Sequence, residues 1–468
     1  MRPAALPALL LTAATCVAAD PAITIYNDGF AVVRETFPLE LRTGINTVTF
    51  ADATAELDDE SVILRDIAGR AEFRILEQSY RSDTLWLYRM LERSEGQVIE
   101  FIRQEPNKPD RVVRGKVIRA GLDGSGNSPG FTPIIEVDGK VQFSLPGEPR
   151  FPSLGEDFIL NPTLTWKIDA PEPAKFNAEV AYISGGFSWQ ASYNLIAAEK
   201  SDAVDLVGWV TMSNESGKDF PETRIKLMAG DVRNVGRSRN RGSFGGGSGG
   251  GVGMAAAARS EPPVTEKTFD EYHLYNLAHP TTLRNEETKQ VEFVRAAGIQ
   301  TRRVYVLEGP LGSNDSPTEK VKVFREFRNS EANKLGVALP KGNVRFYTQD
   351  ADRQLECVGG NSIEHTAKDE LIRILVGNSF DLVGEHRLKE ETRDEANHTA
   401  TQTIEVKVRN RKTEAATIIV RERAARAGWT LTAQSQPHEK KDASTFEFTV
   451  PLQPGEEKVV TYTIRYNW

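Results

Sequence analysis

The side chains able to do chemistry are spread thinly along this chain. Its six histidines are His273, His279, His365, His386, His398 and His438, and no two stand at the close helical or hairpin spacing that zinc sites use. His273 alternates with Tyr275 in a strand-like run and His279 precedes Pro280, so packing and a turn account for them. Acids cluster at 56–60 and at 390–395. A glycosidase needs two carboxyls held about 5–9.5 Å apart across a cleft, but acid-rich loops on an acidic chain are ordinarily solvated. Residues 123–127 carry oxygens for loose calcium binding without the ligand spacing of a calcium loop.

Two glycine-rich matches fail on mechanics. Gly246-Gly247-Ser248-Gly249-Gly250 has the form Gly-x-Ser-x-Gly, yet a nucleophilic elbow needs a strand before it and a helix after it to hold the serine strained and exposed. The same tract contains Gly-x-Gly-x-x-Gly, again without the strand-to-helix setting in which backbone amides cradle phosphates. A denser signal comes from Trp166, Tyr182, Gly185, Gly186, Trp189, Tyr193 and Trp209. As core, these rings bury much of a domain's apolar area; as surface, they stack on sugar rings or on a partner chain. Core is the expected role and a ligand platform the alternative. Neither a cofactor nor a metal site is implied.

Composition narrows the partners. Lys and Arg total 58 against 66 Asp and Glu, a net charge of -8, so nucleic acid is not an expected partner. Residues 1–19 read Met1-Arg2-Pro3, a small and apolar run to Val17, then Ala18-Ala19 before Asp20. That is the pattern of a secretory leader cut between Ala19 and Asp20, which places the protein in the periplasm or at the cell surface. Cys16 offers a lipid anchor as the alternative, although Thr15 is bulkier than the residue such processing favours. No other stretch is long and apolar enough for a membrane helix, so none is expected after cleavage. Cys357 is then the one remaining thiol and has no internal disulfide partner; its strand-like context predicts burial.

The elements that must position these residues read as strands. At about 100–200 residues per domain, 468 residues suggest about three folded units. Short alternating runs separated by Gly, Pro and Asn turns predict an all-β, multi-domain β-sandwich with one short helix near 83–93. The expected units are an N-terminal β domain over 20–150 with a small barrel inserted near 84–150, a central sandwich over 158–390 interrupted by a flexible Gly/Ser-rich loop at 237–263, and an immunoglobulin-like domain over 395–468. One design recurs three times: an alternating run ends at Asn214, Asn329 or Asn410, turns, and re-enters a strand. The C-terminal alternation of Val460, Tyr462, Ile464, Tyr466 and Trp468 suits either a sandwich strand or an outer-membrane barrel strand. The shortness of most strands favours the sandwich.

Several motifs together carry a family resemblance: Tyr26-Asn27 through Val33-Arg34, the run from Gly185 to Tyr193, Trp209 through Gly217-Lys218-Asp219-Phe220, Leu227 through Val232, and Leu339-Pro340-Lys341-Gly342. The chain resembles bacterial exported proteins grouped as domain of unknown function number 4139, to which the mucoidy inhibitor A-like proteins are related. Ser192 stands where the pattern leads one to expect an Asp before Tyr193. The resemblance brings no reaction, substrate or active residue. The expected role is a non-enzymatic exported module that binds an envelope protein or glycan. A hydrolase or lyase acting on envelope polysaccharide, built from acids on separate loops, is the competing reading.

Overall fold

The computed structural model describes residues 19–82, 87–104, 109–121, 132–152, 159, 161–198, 201–230, 264–269, 272–309, 316–424 and 428–467. Residues 1–18, the Gly/Ser-rich stretch 237–263, the run 123–127 and Trp468 therefore lie outside the described residues.

The fold is almost entirely β, in five sheets, as the alternating sequence predicts. The largest N-terminal sheet begins with a hairpin, β1 (Ala19–Tyr26) and β2 (Phe30–Leu41). Gly29 supplies the left-handed residue of its turn at φ 84. This eight-stranded sheet has the order β16-β17-β15-β1-β2-β12-β4, with β18 also on β15. The added strands are β4 (Ile63–Asp66), β12 (Ala174–Gly185), β15 (Phe220–Ala229), β16 (Val264–Phe269), β17 (Tyr272–Leu277) and β18 (Thr281–Leu283). Strand β1 runs parallel to β15, so the start of the chain completes a sheet whose other half lies some two hundred residues on.

A three-stranded sheet, β3 (Gly44–Ala51), β11 (Thr163–Ala170) and β5 (Arg74–Arg81), has β11 at its centre. A five-stranded sheet of order β19-β14-β13-β22-β23 comprises β13 (Phe187–Ala198), β14 (Ala203–Asn214), β19 (Glu287–Gln300), β22 (Gly342–Gln349) and β23 (Leu355–Ile363). These three sheets share one apolar core that holds Phe37, Phe50, Trp166, Tyr182, Trp189, Tyr193 and Phe346.

The expected small barrel is corrected. Strands β6 (Val98–Arg103), β7 (Arg111–Arg119), β8 (Ile134–Val137), β9 (Lys140–Gln142) and β10 (Glu148–Arg150) form a sheet of order β10-β6-β7-β8-β9 that does not close. Its one covered face packs Ile99, Phe101, Val117 and Ile135 under Leu91 of the helix α1 (Leu87–Arg93). Even strand spacing looks the same in an open sheet and a closed one; here the helix covers the face that closure would have hidden.

The remaining nine strands form one sheet, β27-β30-β25-β24-β21-β20-β26-β29-β28. They are β20 (Arg302–Gly309), β21 (Ser316–Arg328), β24 (Leu371–Asp394), β25 (Thr399–Asn410), β26 (Ala416–Arg423), β27 (Trp429–Gln434), β28 (Glu439–Lys440), β29 (Thr445–Leu452) and β30 (Glu457–Asn467). Val460, Tyr462, Ile464 and Tyr466 of β30 face a core with Phe446, Phe448 and Val420, so this part is a sandwich and no sheet among the described residues closes into a barrel. Strand pairing crosses the boundaries placed at 150 and 395: β12 and β15 pair with β2 and β1, and β21 and β24 belong to the sheet of β25 to β30.

The recurring Asn turns share one physical design. Asn214, Asn329 and Asn410 are each fully buried, and each side chain bridges two segments of backbone. Asn214 Nδ2 donates to the carbonyls of Lys218 and Leu283, Asn329 Nδ2 to those of Val337 and Ala367, and Asn410 Nδ2 to those of Glu414 and Gln453. Each Oδ1 accepts a backbone N–H, from Ser216, Gly336 and Lys412 respectively. These are the groups a turn leaves without a ladder partner. Cys357 is a second correction: it is exposed. Among the described strands β23 is an edge strand paired with β22, and of its residues Ile363 alone reaches the core, so the alternation around Cys357 faces solvent.

Candidate functional site

Successive residues of β2 point to opposite faces of its sheet, and Arg34 and Glu35 thereby belong to two different polar arrangements. On the outer face, strand register places Arg34, Ala22 and Arg224 side by side across β2, β1 and β15. One step along, Lys226 lies beside Thr24. Ala22 and Thr24 are short, so the long cationic side chains stand over a low floor, and Arg34 Nη1 donates to Thr24 Oγ1 at 3.2 Å. The result is a groove of about 480 Å³ whose walls include Tyr26, Ile67, Met228 and Leu274. Among the described lining residues the carboxylate is Glu179, which is engaged by Arg65, with Nε at 2.7 Å and Nη2 at 2.6 Å from the same oxygen. The groove is thus cationic on an acidic protein, and guanidinium forks suit carboxylate, sulfate or phosphate groups.

On the inner face, Glu35 meets Lys218. Lys218 sits in the turn between β14 and β15, where Asn214 holds its carbonyl. Its Nζ donates to Glu35 Oε1 at 2.7 Å, Glu35 Oε2 at 2.9 Å and the Asp52 carbonyl at 2.5 Å. The amine lies 5.5 Å from the ring centres of Phe50 and of Phe220. Tyr182 donates its hydroxyl to Glu35 Oε2 at 3.2 Å. Both Glu35 and Lys218 are buried. Burial pushes the Glu35 carboxyl above the ordinary carboxylate range, against the opposing pull of Lys218 and Tyr182.

A third polar cluster lies in the C-terminal sheet, where His386 of β24 stands between Glu319 of β21 and Glu422 of β26, each 2.7 Å away. Burial alone would lower the imidazole; the two carboxylates outweigh it and raise it to about 9. A folded value above the unfolded value of about 6.5 stabilises the fold fully below the latter, and that contribution is lost as pH rises through the former. Melting curves between pH 6 and 10 are therefore expected to show a midpoint that starts falling above about 6.5 and flattens beyond about 9, whereas His386→Gln loses this segment of the profile. A wild-type midpoint that is flat across that range contradicts the assignment.

Of the aromatic residues singled out from sequence, Trp166, Tyr182, Trp189 and Tyr193 are buried, and Trp209 is half-buried on β14. Their polar tips bond inside the fold: Trp166 Nε1 to Gln78 Oε1, Trp189 Nε1 to the Met228 carbonyl, and the Tyr193 hydroxyl to the Pro340 carbonyl. They are not brought together with the cationic groove. Strand β1 begins at Ala19, so the backbone of Ala19 and Asp20 lies in that strand.

The acids of 390–395 project on the exposed end of the β24–β25 hairpin. Glu215, Glu286 and Glu287 line a hollow of about 330 Å³ with Asn214 and Asn285. There the Arg284 backbone N–H and Lys289 hold the Glu287 carboxyl below its ordinary value, the reverse of what a general acid needs. Among the described residues no group of three His, Cys, Asp or Glu side chains is arranged to hold a metal ion.

Sequence reasoning missed the groove and the Lys218 node, because Arg34 and Arg224 come to flank Ala22, and Glu35 meets Lys218, only through the pairing of β1 with β2 and β15. A model of the family described as a domain of unknown function, DUF4139, matches residues 178–468. Comparison with curated proteins finds no match. The matched segment starts inside β12, so Arg224, Lys226 and Lys218 fall within it while Arg34 and Glu35 come from the preceding part of the chain.

Proposed function

The chain belongs to the DUF4139 family, and we propose that it is an exported binding module of the cell envelope, which holds an anionic glycan or protein segment in the groove over β1, β2 and β15. The observation that carries this reading is the Arg34–Ala22–Arg224 row with Lys226 beside it. Two arginines and a lysine on neighbouring strands stand beside the small residues Ala22 and Thr24, with Tyr26, Ile67, Met228 and Leu274 along the walls, and this suits a ligand that presents acidic groups along an extended chain. The leader-like residues 1–19 support export.

Titration of the protein with polygalacturonate, and separately with neutral dextran, tests the reading. The uronate polymer is expected to bind with an affinity that falls as salt rises, while dextran does not bind. Arg34→Glu combined with Arg224→Glu is expected to weaken uronate binding by about tenfold or more, equivalent to ~1.4 kcal/mol or more. Equal binding of both polymers, or an unchanged affinity in a folded double variant, overturns it.

A further inference from the structure

The Lys218 amine touches a second acidic residue besides Glu35. Its Nζ is 3.5 Å from Asp52 Oδ2 and also donates to the Asp52 carbonyl. We propose that the Lys218 amine and the Asp52 side-chain carboxyl condense after folding into an intramolecular isopeptide bond, with Glu35 relaying the protons.

The surroundings are those such a condensation needs. Phe50 and Phe220 flank the amine, and its burial keeps bulk water from the protons it shares with Glu35. The fold holds the amine against the carboxyl it would attack, with Nζ 3.5 Å from Oδ2 and hydrogen-bonded to the same residue's carbonyl, so the encounter is already made before reaction. Asp52 itself adopts φ 71, a conformation uncommon for a residue with a side chain. Asn161 Nδ2 donates to Asp52 Oδ1 at 3.2 Å, on the oxygen that would carry negative charge in the tetrahedral adduct. The Asp52 side chain is 55% exposed against 5% for Lys218, so released water leaves on the Asp52 side.

The chemistry balances without any further reactant. Glu35 takes one proton from the ammonium, and the freed lone pair on Nζ forms a bond to Asp52 Cγ, placing negative charge on Oδ1. Glu35 passes its proton to Oδ2, takes the second from the nitrogen and passes that on as well. The Cγ–Oδ2 bond breaks, Oδ2 departs as water, Oδ1 becomes the amide carbonyl oxygen, and Glu35 ends as it began. The product joins the end of β3 to the β14–β15 turn in a chain whose only described cysteine is free.

Intact-mass measurement of the purified full chain, followed by protease digestion and peptide fragmentation, tests this. A mass lower by one water is expected, with a branched peptide in which Lys218 is joined to Asp52. Glu35→Gln, which keeps the shape of the site and removes the relay, is expected to keep the mass of its own sequence. The inference is overturned if the wild-type chain shows its full sequence mass, if the lost water maps to a cyclised Asp52 in an unbranched peptide, or if Lys218 is joined to Glu35. A Glu35→Gln chain that also loses water overturns the relay.

Discussion

Trp166→Ala is expected to destabilise the protein by about 3–5 kcal/mol in denaturant titration, while Trp166→Phe costs less than half as much. Trp166 is fully buried at the centre of the three-stranded sheet, opposite Val48 on β3 and Gln78 on β5. Truncation removes the largest fully buried ring and leaves a cavity that two flanking strands prevent from collapsing. It also strips Gln78 of the indole N–H. A loss of under ~1 kcal/mol would show that this sheet is not part of the cooperative core.

Glu35→Ala is expected to have an effect of the same size, about 3–5 kcal/mol, because it removes the buried carboxylate that holds Lys218 Nζ at 2.7 and 2.9 Å and leaves only the half-exposed Asp52 carboxyl 3.5 Å away. The double substitution Glu35→Leu with Lys218→Met is expected to recover most of that loss, since two apolar chains fit between Phe50 and Phe220 without any charge to desolvate. Both variants lack the carboxyl on which the cross-link depends, so the difference between them is free of the cross-link and reads the stranded ammonium together with the space that Leu refills at position 35. Lys218→Met by itself is expected to cost less than Glu35→Ala, because the Glu35 carboxyl, already pushed upward by burial, can take a proton. A double variant no more stable than Glu35→Ala would mean that the pair is not a desolvated unit.

The sequence was most legible where structure is local. The three Asn-terminated runs were readable because an Asn side chain serves its own turn, and Asn214, Asn329 and Asn410 all do so in the fold. The buried alternation of β30 was equally readable from period two, since each inward residue is apolar. What depended on distant pairing was not readable. Arg34 and Arg224 come to stand on either side of Ala22 because β1 pairs with β2 on one edge and runs parallel to β15 on the other, and no local pattern announces which strands will be adjacent. The exposure of Cys357 and the openness of the β6–β10 sheet belong to the same class, since both turn on what covers a strand rather than on its own residues. The Lys218-Asp219-Phe220 run stands out as a motif in the sequence, but its chemistry depends on Glu35 and Asp52, which the fold brings from the N-terminal strands.

The claim that the outer groove is where this protein meets its ligand is tested most directly by amide hydrogen exchange with and without saturating polygalacturonate. Slowed exchange confined to peptides that cover β1, β2 and β15, and absent from the Arg34→Glu/Arg224→Glu chain, is the predicted result. Protection that appears instead on the β24–β25 hairpin or around Glu215 and Glu287, with β1, β2 and β15 unchanged, would contradict it.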